Sequence, residues 1–152
     1  RAYHHLGLFY WDRNAVKDAI QIFSRLLAVN PMDNLGVRYL LPMCWLELND
    51  PWNVVKHCRQ HQDDSFPEIT YSHALALVMI GQSKIAKTVL QEAVENLPLV
   101  KKELLKKRHP RPKGMSPDTI SYGGADQAYA YWQQYGEYWE ATPAAMDLLR
   151  EV

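Results

Sequence analysis

Apolar side chains return along this chain at intervals of three and four, and the runs they form are parted by short polar breaks, which predicts paired amphipathic helices and no strand. In "HHLGLFYWDRNAVKDAIQIFSRLLAVNP", Leu6, Phe9 and Tyr10 share one stripe. Val16, Ala19, Ile20, Phe23, Leu26 and Leu27 make a second, with a hinge at Asp12-Arg13-Asn14 and a stop at Asn30-Pro31. The pattern then repeats. Tyr39, Leu40, Leu41, Cys44, Trp45 and Leu48 predict one helix, and Trp52, Val54, Val55 and Cys58 its partner. "ITYSHALALVMI" and "SKIAKTVLQEAVENLP" predict a third pair, turning at Gly81-Gln82 and closing at Leu97-Pro98.

The turns at Asn14, Asn49 and Gly81 are 35 and 32 residues apart, close to the 34-residue period of a well-known helical repeat. Ala19, Val54 and Ala86 each stand five residues past their turn, and Phe23, Cys58 and Leu90 stand nine past it. The joint "NPMDNLGVRYLLP" predicts a cap at Asp33 or Asn34, a close approach at Gly36, and a helix bent at Pro42, where one hydrogen bond is lost.

These residues resemble the tetratricopeptide repeat (TPR). Leu6-Gly7, Tyr10, Ala19, Phe23 and Pro31 fit its spacing in one unit, and Ala74, Gly81, Ala86, Ala93 and Pro98 in another, with a degenerate unit between them. The chain also resembles a set of TPR-like proteins that carry a junction like Asn30 to Leu41 and an ending like Ala141 to Leu149. The resemblance implies an all-α solenoid of antiparallel hairpins over about 1–33, 34–66 and 67–99. Residues 100–152 would be packed on it as a basic helix, a Pro/Gly-rich loop and an aromatic C-terminal helix, all in one compact domain. It implies a peptide-binding concave groove and no enzymatic residues.

On that helical phase the groove residues are His4, Leu8, Trp11, Tyr39, Met43, Leu46, Tyr71, Leu75 and Val78, a largely apolar lining. The positions where chaperone-binding members hold Lys, Asn and Arg carry His4, Leu8, Leu40, Glu68 and Ser72, so no clamp for a terminal carboxylate is expected. Trp132, Tyr131, Tyr135, Tyr138 and Trp139 form a broad aromatic face on the C-terminal helix. Either this helix fills the groove or it meets a partner.

Composition narrows the function. The 17 basic and 17 acidic residues cancel, but Lys101 to Lys113 holds seven cations and one acid, leaving the remainder six charges negative. Lys106, Lys107, Arg108 and Arg111 are therefore the candidate patch for an anionic partner, nucleic acid included. The plainer alternative is a solvated helix end whose cations complement the dipole.

His57 and His61 have zinc-like spacing but lack a third ligand, and no Ser/His/Asp, Cys/His or Gly-rich phosphate motif has a recognisable context. The expectation is a non-enzyme with no cofactor and no metal. Cys44 and Cys58 read as buried reduced thiols, and no run is long enough to span a membrane. The chain starts at Arg1 within a helical pattern, so it reads as part of a longer protein. The sequence thus predicts a noncatalytic, cytoplasmic interaction scaffold for an apolar peptide. The alternative is a nucleic-acid-associated or nuclear adaptor, or a regulatory segment.

Overall fold

The computed structural model describes residues 13–152, and among these it is all-α, a stack of helices each packed on its neighbours. The order is α1 (Arg13–Val29), a 3-10 turn (Val37–Tyr39), α2 (Leu41–Glu47), α3 (Pro51–Gln60), α4 (Pro67–Met79), α5 (Ser83–Asn96), α6 (Pro98–Leu105), α7 (Ala125–Glu140) and α8 (Pro143–Glu151).

Four helices begin on proline: Pro51, Pro67, Pro98 and Pro143 open α3, α4, α6 and α8. At the first helical position the missing N–H has no partner to lose, and φ is already set. Pro98 therefore opens α6 as soon as α5 has closed. Asp50 caps α3, its carboxylate accepting from the Asn53 amide at 3.4 Å.

The two described hairpins close alike. Asn49 and Gly81 take left-handed backbone, φ 57° and 83°. The next amide reaches back five residues in each, Asp50 to the Trp45 carbonyl and Gln82 to the Leu77 carbonyl, both at 2.8 Å. The third expected turn differs, because Arg13 and Asn14 already belong to α1.

Helix α4 is central. Ala74, Leu75, Ala76 and Leu77 are all fully buried, so it is apolar on every side, as a helix wrapped by others must be. It packs on α3 and α5 along the stack and on α7 and α8 across it. A smaller core joins Val16, Ala19 and Phe23 of α1 to Val37, Leu40, Leu41 and Cys44, and Trp45 bridges the two cores. Leu26 and Trp52, expected within buried stripes, are exposed instead.

At the joint, Asp33 is the cap. Its carboxylate accepts from the amides of Val37 at 2.8 Å and Arg38 at 2.9 Å and from Arg38 Nε at 3.0 Å. Gly36 serves through its φ of 70° rather than through close approach, since a Cβ there would meet only Tyr39 Cδ2 at 3.5 Å. Pro42 bends nothing. The expected long helix is split into a 3-10 turn and α2, which puts Pro42 in the first turn of α2.

Candidate functional site

The groove predicted between hairpins is occupied by the chain itself. Leu8 and Trp11, with His4, lie outside the described residues. Tyr71 and Leu75 are fully buried, and Met43 is half-buried against the same core. Helix α7 covers them. The Tyr71 ring lies 5.9 Å from Tyr131 and 6.4 Å from Trp139, and its hydroxyl donates to the Leu97 carbonyl at 2.6 Å. Trp139 Nε1 donates to the Tyr131 hydroxyl at 2.9 Å, which also pairs with Ser72 Oγ at 3.1 Å.

Tyr135 donates to the Tyr39 carbonyl at 2.6 Å, and Tyr138 bonds the Glu47 carboxylate. Burial pushes the phenols of Tyr71, Tyr131, Tyr135 and Tyr138 above their ordinary range, so they remain hydrogen-bond donors rather than acids. Each aromatic ring removes on the order of 150–250 Å² from water and meets its polar need inside the stack. Tyr71 and Leu75 are thus core residues, not a lining open to a peptide.

What stays open is the edge at Tyr39. Its ring stacks on Phe66 at 5.0 Å, Phe66 leans on Tyr122 at 5.8 Å, and Tyr122 donates to Ser65 Oγ at 2.8 Å. With Leu35 and Ala130 these rings line a cleft of about 240 Å³, roofed by the segment that connects α6 to α7. The Tyr39 hydroxyl donates to Asp64 at 2.6 Å, and burial, followed by that carboxylate, raises its pKa.

The basic segment takes a form the sequence does not predict. Helix α6 stops at Leu105, and Lys106 is already extended at φ −68°, ψ 147°, so Lys107, Arg108 and Arg111 stand on irregular backbone beyond the helix. The one acid of the run, Glu103, is buried and committed. It accepts from Lys106 Nζ at 3.2 Å and pairs with His109 Nδ1. His109 in turn stacks on Trp132 at 3.8 Å and 8°.

Trp132 can lie there because of Gly136: a Cβ at that position would sit 2.5 Å from Trp132 Cδ1. Glu103, His109 and Trp132 thus form a fixed base from which the cations project. Lys107, Arg108, Arg111 and Lys113 are exposed and make no ion pair among the described residues. Sequence reasoning placed Trp132 on the aromatic face of α7 but did not connect it to the basic run, because the two lie far apart along the chain, although the lone acid within that run was a visible clue.

His57 is a core residue. Its Nε2 donates to the Arg38 carbonyl at 2.9 Å, and its ring lies 5.3 Å from Trp45 and 4.6 Å from His61. Burial lowers its pKa to about 4. Among the described residues no group of three or more His, Cys, Asp or Glu is placed to hold a metal ion. Cys44 and Cys58 are buried free thiols; burial pushes Cys44 up to about 12 and raises Cys58 as well. No helix among the described residues is long and apolar enough to cross a membrane.

Compared with known families, the chain matches the one described as Tcf25, transcriptional repressor TCF25, over residues 3–142. No curated protein and no solved structure matches it.

Proposed function

Because the chain belongs to the Tcf25 family, we propose that it is a helical, noncatalytic part of a nuclear, transcription-associated regulator. In this reading it holds an anionic partner, nucleic acid first, through the basic segment 101–113. The observation that carries the reading is the state of that segment: its single acid is neutralised internally, while Lys107, Arg108, Arg111 and Lys113 face solvent without carboxylate partners among the described residues. Cations held on a fixed base can displace counterions from a phosphate backbone, which ties affinity to salt.

The test is a salt titration of a labelled single-stranded RNA against the parent chain and the triple variant Lys107→Glu, Arg108→Glu, Arg111→Glu. Lys106 is left in place because it neutralises Glu103. Loss of about three phosphate contacts should flatten the slope of log affinity against log salt by about 2. Equal slopes and equal affinities for the two chains would sink the reading.

A second reading, capture of an apolar peptide, is favoured by one observation, the open cleft at Tyr39, Phe66 and Tyr122. It confines such a site to the edge of the stack, because the groove proper is filled by α7. Tyr122→Ala, which opens the roof and removes one wall, distinguishes it by changing peptide binding and leaving RNA binding intact.

A further inference from the structure

Helix α3 carries a surface that neither reading uses. Trp52 is 66% exposed, although it is the largest side chain on the helix. Lys56 and Arg59 follow it at four and seven residues on the same face, both exposed and without an ion-pair partner among the described residues. Beside them, between α3 and the turn joining α4 to α5, lies a cleft of about 500 Å³ whose walls include Trp52, Val55, Lys56, Arg59, Ile80 and Gln82. Val55 is buried and Ile80 half-buried, so the floor is apolar and the rim cationic. Of the carboxylates near in sequence, Asp50 is engaged with the amide and side chain of Asn53 at 3.4 and 2.6 Å, Asp64 is engaged with Tyr39, Phe66 and Arg38, and Asp63 makes no ion pair with the rim among the described residues.

We propose that this face of α3 docks an extended peptide segment in which acidic side chains stand two residues to either side of an apolar one. Seven residues of helix rise about 10 Å from Trp52 to Arg59. An extended peptide covers that with about three residues. One apolar side chain enters the cleft against Trp52 and Ile80, and carboxylates two residues away on either side, on the same face of the extended peptide, reach Lys56 and Arg59. The charge complementarity is to carboxylates and the floor is for hydrocarbon. A nucleic acid would need a longer row of cations to follow its phosphates, and two on an apolar floor do not supply it.

The surface is on a different element from the basic segment, so the two readings fail separately. The probe is a labelled peptide of about ten residues in which glutamates stand two residues to either side of a leucine or phenylalanine, with threonine between them, titrated by fluorescence anisotropy against the 152-residue chain. Trp52→Ala and the pair Lys56→Glu, Arg59→Glu should each weaken binding at least about tenfold, as loss of an anchor does. All the substituted side chains are exposed, so thermal unfolding of these variants should match the parent.

Control peptides with glutamine for glutamate, or serine for the apolar residues, should each bind at least about tenfold more weakly than the parent peptide. The Lys107→Glu, Arg108→Glu, Arg111→Glu variant should bind the parent peptide unchanged. The proposal is overturned if Trp52→Ala binds like the parent chain or if either control peptide binds as well as the original. It is equally overturned if only the basic-segment variant loses the peptide, or if a single-stranded oligonucleotide, and not the peptide, is the probe that the α3 variants release.

Discussion

Acidification should weaken the fold through His57. Its ring is nearly excluded from water and its Nε2–H is spent on the Arg38 carbonyl, so the neutral form fits the core. A second proton would place a cation there, and His61 and Arg38 add to the effect of burial in opposing it, while the carbonyl bond and Asp33 only partly offset them. The folded pKa is about 4, against about 6.5 in an unfolded chain.

Below about pH 6.5 the unfolded state therefore takes up a proton that the folded state refuses. Stability is fully present above that value and drains away as pH falls toward the folded pKa. At about 1.4 kcal/mol per unit the whole effect is about 3 kcal/mol, of which about 2 kcal/mol is lost by pH 5. His57→Gln isolates it, because a glutamine amide can still donate to Arg38 and does not titrate.

Urea unfolding followed by circular dichroism at about pH 7.5, 6 and 5 should show the parent losing about 2 kcal/mol more than the variant. His73, which has no coupling to His57, contributes alike in both chains. Two parallel stability curves would refute the reasoning, since they would mean His57 is as free to protonate folded as unfolded.

Three further outcomes follow from the geometry. Pro42→Ala should change stability by less than about 1 kcal/mol, measured by urea unfolding, because the residue sits in the first turn of α2; a kinked helix interior would respond by about 3 kcal/mol. Gly136→Ala should displace Trp132 and break its stack on His109, read as a shift of the His109 ring resonances in NMR and a stability loss of about 1–3 kcal/mol. Cys44 and Cys58 should resist a thiol reagent at neutral pH in the folded chain and react at once in denaturant, because burial keeps both protonated.

The hairpins were legible in the sequence where a residue type has one backbone use. Asn49 and Gly81 mark left-handed helix ends, and both turned out to close a hairpin by the same bond. Asn14 carries the same letter as Asn49 but sits inside a helix, since asparagine tolerates the left-handed region without requiring it. Pro98 was read as the close of a helix, yet it opens the next one, because Leu97 before it has already left the helical region.

The aromatic face of α7 was visible as a spacing. Whether that face met this chain or another depended on where a loop of some twenty residues returned it, and periodicity holds no record of that. The basic segment was readable as charge alone. Its fixed base is a contact between residues 103, 109 and 132, two of them polar and none part of a repeat.

The hydrogen bonds from α7 also bear on how the chain folds. An open array of repeats melts piecemeal, each unit leaning only on the next. Here Tyr135 is tied to Tyr39 across 96 positions, Tyr138 to Glu47 across 91, and Tyr131 to Ser72 across 59. A late segment thus fastens early ones, and the hairpins between them cannot loosen without giving up those bonds. Unfolding should be a single cooperative transition. Its slow step on the way back is loop closure over most of the chain, a cost that locally stacked helices would otherwise avoid.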